Sequence, residues 1–434
     1  MIPKEVKWIA KDVATGVAQV DITPPVGVPL AGGLRARRSE GVDDQLYARA
    51  LVLSDGARYA VIVALDLIVI CRQHVEAASK LIHARTGIPR DSILVCASHT
   101  HSGPYPAELL DPVVKPDPAY MERVSAKIAE AVTEAHERLE PAKVGLASTT
   151  VKGLMHNRRL VDEKGSAWNS WLVPAERREL VPAGPMDEEL QVLSVKGRDD
   201  DRYRAIVFNY PLHANIHFGK NISADYPGVV AKLISEKLGS EVVSLFAPGA
   251  CGDTNVRSGM GMNHVGEVIA SGIITALERI KYARRCQLGA GLEEMALPLR
   301  NFSRFQEEEI SLKWPDGLDV FMNEYEIMRK WKEKEVGTVI HVLGINDAAF
   351  IGVPGEFFVE LGMDIKAHSP FKYNFVTELC DDYIGYIPTI RAFKQGGYET
   401  FNARSSKVAA GSGEEIVDKS LNIMREVLRM MDEK

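Results

Sequence analysis

Apolar and polar positions along this chain follow two rhythms, one of period two and one of period close to four, and the switches between them mark the predicted elements. Gly16-Val-Ala-Gln-Val-Asp-Ile-Thr alternates and then stops at Pro24-Pro25, as a strand does. Residues 46–54 and 59–67 form a hairpin-like pair of strands around Asp55-Gly56. A helix is predicted over 73–86, closed by Gly87-Ile-Pro. Ile93-Leu-Val-Cys-Ala97 reads as a short buried strand, stopped by Ser102-Gly103-Pro104. From Pro118 onward Tyr120, Val124, Ile128 and Val132 recur every four residues, with Met121, Ala131 and Ala135 on the same side. That amphipathic helix turns a core stripe inward.

In the middle third, strands are predicted at 203–208 and 242–247, with a helix over 227–238 between them. Residues 153–190 are rich in Arg, Gly, Pro and Trp and lack periodicity, which predicts a long loop lining a cleft. The charged stretch 302–334 is expected to be helical, as a lobe or an interface. Further strands are predicted at 338–343, 348–353 and 375–379, with a helix starting at Glu356 between the last two. A C-terminal helix over 413–431 docks Ile416, Leu421, Ile423, Met424 and Val427 on the core. No repeat, low-complexity tract or linker interrupts the pattern. The fold class expected is α/β, a mixed β-sheet core flanked by helices, in one contiguous catalytic domain over 1–434.

Composition narrows the functional classes. Of 434 residues, 46% are hydrophobic and 26% charged, ordinary values for a globular protein with a sizeable core. The net charge of −7 and pI near 5.9, with Lys and Arg spread out, give nucleic acid no basic footprint. Residues 1–12 are charged and hold no apolar run of signal-peptide length, and no stretch approaches the ~20 apolar residues of a membrane span. The five cysteines are an odd, widely spaced set without Cys-x-x-Cys, which fits reduced thiols in a cytoplasmic protein. Nothing in the pattern bears on oligomeric state.

Chemistry concentrates at strand ends. His99-Thr100-His101 follows the strand over 93–97, and in an extended chain residues two apart share a face. Both imidazoles are then expected in one cavity, one as a metal ligand and the other as a proton carrier. By itself a His-x-His pair is often a surface accident or a pair of satisfied hydrogen-bonders. Three more strand ends carry candidates, however. After 205–208 come His213 and His217; their i, i+4 spacing would suit a helix, but Pro211 and Gly219-Lys-Asn argue against one, so they are not read as joint ligands. A local hydrogen bond is the plain role of His213. Glu356, after Val353-Pro-Gly, stabilises a helix N-terminus by a few tenths of a kcal/mol or presents its carboxylate to a cation. Tyr383 and Tyr386, around Gly385, are either amphipathic surface cover or a source of a phenolate ligand. Two His, one Glu and a Tyr after separate strands is how a sheet assembles a Zn²⁺ site from distant positions.

The blocks Ser98-His-Thr-His-Ser-Gly-Pro104, Val353-Pro-Gly-Glu356 and Asp382-Tyr-Ile-Gly-Tyr386-Ile-Pro resemble those of the neutral/alkaline (non-lysosomal) ceramidase family. So do Val20-Asp-Ile-Thr-Pro-Pro25, His156-Asn-Arg-Arg159 and Ser223-Ala-Asp225-Tyr-Pro-Gly228, and the likeness runs from about residue 16 to about 405. The resemblance implies a zinc-dependent amidase that splits ceramide, with one Zn²⁺ per chain held by His99, His213, Glu356 and Tyr386, Tyr383 being the alternative to Tyr386. It also implies a catalytic domain alone, without the family's C-terminal immunoglobulin-like domain. One block departs: where the family carries a Ser in a Gly-Asp-Val-Ser-Pro-Asn-like segment, this chain has Pro248-Gly-Ala-Cys-Gly-Asp253-Thr-Asn255, with no Ser. Asn157-Arg158-Arg159 likewise stands for Asn-Arg-Ser. The metal cage is kept while the substrate end differs, so the expected substrate is a small-molecule amide, with ceramide itself left open.

The mechanism expected is metal-assisted hydrolysis of an amide, or of an ester in a lesser alternative. Zn²⁺ lowers the pKa of water from ~15.7 towards ~7. His101 would carry the proton, and Arg158 and the backbone N–H groups of 249–252 would stabilise the oxyanion. A surface salt bridge is the plain role for Arg158. Asp225, Asp253 and Asn157 are candidates to orient imidazoles or hold a polar substrate group. Two rivals stand beside this. Cys251, in Gly249-Ala-Cys-Gly after a strand, would be a nucleophile at a sharp turn, although a small buried Cys is the plainer account. Alternatively the cage is purely structural and the protein binds without turning over.

Overall fold

The computed structural model describes residues 11–174, 176 and 179–432. The sequence reading of a leaderless N-terminus therefore falls, for residues 1–10, outside the described residues, as do 175, 177 and 178 of the 153–190 segment.

Two sheets form the centre. The larger has eight strands in the order Val243–Pro248, Tyr203–Tyr210, Glu189–Gly197, Glu140–Thr150, Ala14–Asp21, Tyr47–Ser54, Tyr59–Leu65 and Ile93–Ala97. Its outermost pairs are parallel and its inner pairs antiparallel, which makes it mixed. The smaller sheet orders Leu288–Pro298, Glu335–Ile345, Ala348–Gly352 and Tyr373–Thr377, the last pair parallel.

The sheets pack face to face. Leu51, Ile62, Leu94, Leu193, Val207 and Leu245 of the larger meet Leu343, Phe350 and Phe375 of the smaller in one apolar core. Phe350 and Phe375 stack at 4.2 Å between centroids. Fully burying each such side chain is worth ~1.5–3 kcal/mol, so this seam fixes how the sheets sit together. Helices cover the outer faces. Arg72–Thr86 and Pro118–Glu137 lie on one half of the larger sheet, and Asp225–Leu238 and Met262–Leu277 on the other. Val359–His368 and Ser412–Asp432 cover the smaller sheet. The helix Pro118–Glu137 starts as its residues dictate, with the Asp117 side chain accepting from the Ala119 N–H and proline in the first turn.

The mixed α/β layering agrees with the expected fold class, and several boundaries move. Residues 153–190 hold four short strands, Met155–Asn157, Arg159–Val161, Ala167–Asn169 and Val181–Pro182, before Glu189 begins a core strand. The strands Glu140–Thr150 and Leu288–Pro298 and the helix Met262–Leu277 have no counterpart in the sequence reading. Leu288–Pro298 is a sheet edge with a half-exposed middle, where the Glu293-Glu294 pair breaks the alternation. Glu356 does not open a helix. It pairs in parallel with Tyr386 in a two-residue strand, and the helix begins at Val359.

Both sheets end at one place. Cys96 bridges Cys380, Ala97 N–H donates to the Leu379 carbonyl (3.2 Å), and Glu378 N–H donates to the Pro248 carbonyl (3.0 Å). All four candidate-bearing strand ends thereby converge.

Candidate metal centre and catalytic cavity

The histidine pair is positioned by a turn, which corrects the strand-alternation argument. The strand ends at Ala97 and His99 adopts φ 68°, a left-handed conformation rare outside glycine. Ser98 N–H donates to the Leu65 carbonyl (2.8 Å) and His99 N–H to that of Leu67 (2.9 Å), so surrounding backbone imposes the conformation. The His99 and His101 rings then lie edge to face at 4.9 Å.

Backbone carbonyls set the tautomers. His99 Nδ1 donates to the Ile68 carbonyl at 2.8 Å and His213 Nδ1 to that of Cys251 at 3.1 Å. His101 bonds the Gly32 backbone. A neutral imidazole that donates through Nδ1 is an acceptor at Nε2. The His99 and His213 Nε2 atoms nevertheless face each other at 2.9 Å, and two lone pairs hold that separation only with a proton or a cation between them. His101 Nε2, in the same cluster of donors, is buried without a hydrogen-bond partner.

A carboxylate completes the group. Glu356 Oε2 lies 3.4 Å from His99 Nε2 and 3.7 Å from His213 Nε2, buried and without a hydrogen bond. Its other oxygen accepts the Tyr383 hydroxyl at 3.0 Å. The Tyr386 oxygen accepts from Arg158 Nη2, also at 3.0 Å. The close pairing of the two segments needs glycine: a Cβ on Gly355 would stand 2.3 Å from the Gly385 carbonyl oxygen. Burial and the neighbouring His99 and Arg158 cations push His101 and His213 well below the usual imidazole range. Burial works the same way on His99, yet the Glu356 carboxylate opposite outweighs it and raises that pKa. A buried carboxylate facing bare imidazole nitrogens is a donor set suited to a divalent cation, so the residues fit one.

Arg158 is buried, not a surface ion pair. Its Nε donates to Glu399 Oε1 at 2.9 Å, while Arg159 Nη1 reaches Oε2 at 2.7 Å and Asn169 Nδ2 reaches Oε1 at 2.8 Å. Nη1 makes only long contacts of 3.4 Å, to Asn255 Oδ1 and His213 Nε2. The other three candidates brace backbone and touch no imidazole of the cluster. Asp253 accepts from Val359 N–H and Asn157 Nδ2, both at 2.8 Å. Asn157 Oδ1 in turn accepts from Arg159 N–H at 3.1 Å, holding the Arg158 turn. Asp225 accepts from His217 N–H at 2.7 Å. His217 itself lies apart, on Asp43 and Ser102.

Two acids escaped the sequence reading. Glu378 accepts from Cys251 Sγ (2.9 Å) and from the backbone N–H groups of Cys251 (3.0 Å) and Phe357 (2.9 Å), and burial raises its pKa to about 7. An acid inside the apolar run Val376-Thr-Glu-Leu-Cys380 was the available signal. Glu399, in a polar and aromatic stretch, carried none.

The cluster opens into a cavity of about 330 Å³. Its polar end is His99, His101, Glu356, Tyr383 and Tyr386; its apolar wall includes Leu109, Leu110, Trp314 and Trp331. The last two come from the 302–334 segment, which folds as the helices Glu307–Lys313 and Leu318–Met328 with flanking turns.

The family profile described as neutral/alkaline non-lysosomal ceramidase, N-terminal, matches residues 14–266. Among solved structures, the fold is similar to that of neutral ceramidase from Pseudomonas aeruginosa, with a TM-score of 0.73 at 16% identity, covering 97% of this chain and 75% of that one. A structure described as ceramidase complexed with C2 gives a TM-score of 0.72 at 16% identity, covering 97% and 76%. At such identity the likeness speaks to fold.

Proposed function

This chain belongs to the neutral/alkaline non-lysosomal ceramidase family, and from that premise we propose that it is a zinc-dependent hydrolase of a linear amide. The observation that carries the reading is the convergence of the bare Nε2 atoms of His99 and His213 with the orphaned Glu356 Oε2. In this proposal His99, His213 and Glu356 hold one Zn²⁺ and Tyr386 is the fourth ligand. Arg158 donates to the Tyr386 oxygen and offsets part of the burial and Glu356 repulsion that hold this hydroxyl protonated without a cation, whereas the Tyr383 hydroxyl has no such cationic donor and bonds Glu356. When bound, the cation supplies Lewis-acid polarisation of a carbonyl and acidified water.

The chain's own groups do the rest. His101 Nε2, unprotonated and unpartnered beside the cavity, takes a proton from the attacking water and returns it to the departing amine nitrogen. Arg158 Nη1, with only its two long contacts, is the donor left for the oxyanion, while Glu399 fixes the guanidinium plane. Leu109, Leu110, Trp314 and Trp331 shield the site from bulk water and seat an apolar chain. Asp225, Asp253 and Asn157 serve as braces. All five cysteines are unpaired, which supports a reducing, cytoplasmic setting, and among the described residues no helix is long and apolar enough to cross a membrane.

The nucleophilic-cysteine rival is disfavoured. The Cys251 thiol is fully buried and faces Glu378, and burial together with that carboxylate drives its pKa far up, the opposite of an activated thiol. The deciding experiment is turnover of a panel of N-acyl amides by metal-assayed protein. Expected are stoichiometric zinc, cleavage abolished by chelator or His99→Ala, and activity kept in Cys251→Ala. Bound zinc with no cleavage across amides and esters would favour the purely structural cage instead.

A further inference from the structure

Lys407 lines the same cavity as His99, His101 and Glu356. Its backbone is held on both sides: Tyr386 N–H donates to the Ser405 carbonyl (2.7 Å) and Arg300 N–H to that of Lys407 (2.9 Å), with bridges Gly385–Ser406 and Leu299–Val408 flanking it. The side chain therefore projects from a fixed base. Among the described residues its ammonium makes no hydrogen bond or ion pair.

The neighbouring carboxylates are already engaged. Asp382 accepts from the backbone N–H groups of Arg72 (3.1 Å) and Tyr383 (2.8 Å) and from the Thr338 hydroxyl (2.9 Å). Glu324 takes the backbone N–H, Nε and Nη2 of Arg404. Glu108 is shared by Arg404 and Lys115. Burial pulls the Lys407 pKa below its usual range, with Asp382 offsetting only part. Lys407 is partly buried, and a partly desolvated cation with no protein partner gains from an anion brought from outside. Arg404, the other cation on this wall, is already paired with Glu324 and Glu108, which neutralise its charge and leave one Nη1 N–H at most.

We infer that the amide turned over at this site carries a carboxylate, received by the Lys407 ammonium while the Trp314 and Trp331 wall takes the apolar chain between. One ammonium, a compact point charge with three donors, matches the single charge of a carboxylate. This substrate class rests on the amide-hydrolase reading; recognition of the anion does not.

Calorimetric titration of the zinc-loaded protein with matched pairs tests it. N-octanoylglycine against N-octanoylglycinamide places the charge on the amine half; suberic acid monoamide against its methyl ester places it on the acyl half. In one pair the acid is expected to bind about tenfold more tightly or better, a preference kept in Lys407→Arg and lost in Lys407→Met and Lys407→Gln. Equal binding within both pairs, or an acid preference that survives Lys407→Met (the carboxylate then sitting on the metal), overturns the inference. Hydrolysis of the same compounds separates the two claims. Acid preference without cleavage sinks the hydrolase reading alone, and cleavage without charge preference sinks this one alone.

Discussion

His99 and His213 point their Nε2 atoms at each other across 2.9 Å, although each has given its ring proton to a main-chain carbonyl on the far side. With Glu356 holding the His99 pKa up, a proton fills this gap when no metal does; a divalent cation takes its place and ties in the Glu356 carboxylate, so zinc should stabilise the fold whether or not any amide is cleaved. At free zinc one hundred times Kd the gain is about 2.7 kcal/mol, read as a Tm rise of a few degrees. His99→Ala should abolish the rise. A Tm unchanged by zinc in the wild type contradicts the ligand assignment.

Glu399 is the common anchor of Arg158, Arg159 and Asn169. Removing one partner of a buried ion pair strands the other, so Glu399→Ala should cost about 3–5 kcal/mol in urea unfolding. Glu399→Gln keeps the shape and removes the charge. It should fold, and its kcat should fall further than its KM rises, because the guanidinium that faces the reacting carbonyl loses its fixed plane. A Glu399→Ala variant as stable as wild type would show that the network is incidental.

Gly32 has φ +95°, and a Cβ there would sit 2.4 Å from His101 Cγ and 2.5 Å from its Nδ1. Gly32→Ala must therefore tilt the imidazole or shift the loop. Backbone strain alone is about 1–3 kcal/mol. A loss of roughly a hundredfold in turnover with zinc content unchanged is expected if His101 moves protons and holds no metal. Loss of zinc in this variant would make His101 a ligand.

Asp225 is buried, and desolvation raises its carboxyl pKa to about 6 despite the N–H groups it accepts. In the unfolded chain the value is about 3.9. Below about pH 4 both states are protonated and nothing is lost; from there to about pH 6 the unfolded chain ionises first, so this residue's contribution declines as pH rises, then levels off. The stability of wild type minus that of Asp225→Asn should fall across that window in denaturant titrations. A difference that grows with pH would reverse the sign and refute the burial effect.

Much of the site was legible because strand ends announce themselves. Ile93 to Ala97 is an unbroken apolar run, and the polar residues just after it had to lie at a sheet edge. Ala348–Gly352 and Tyr373–Thr377 repeat the pattern before Glu356 and Tyr383. What periodicity does not encode is contact between distant elements. Glu356 looked like a helix-capping acid because Pro-Gly usually precedes one; its pairing with Tyr386 depends on where a segment 30 residues later returns. Strand alternation predicts that His99 and His101 share a face, but in the molecule a left-handed turn at His99 brings them together. The strand Leu288–Pro298 stayed hidden because its two glycines carry no strand propensity and the Glu293-Glu294 pair interrupts the period of two.

Because the Ile68, Cys251 and Gly32 peptide groups dictate which ring nitrogens are bare, the donor set owes its protonation pattern to the main chain. Side chains around the cavity can then be exchanged over generations without rewriting that pattern. Substitutions of the lining residues Leu109, Trp331 and Lys407 would change what the cavity admits and leave the bare nitrogens as they are.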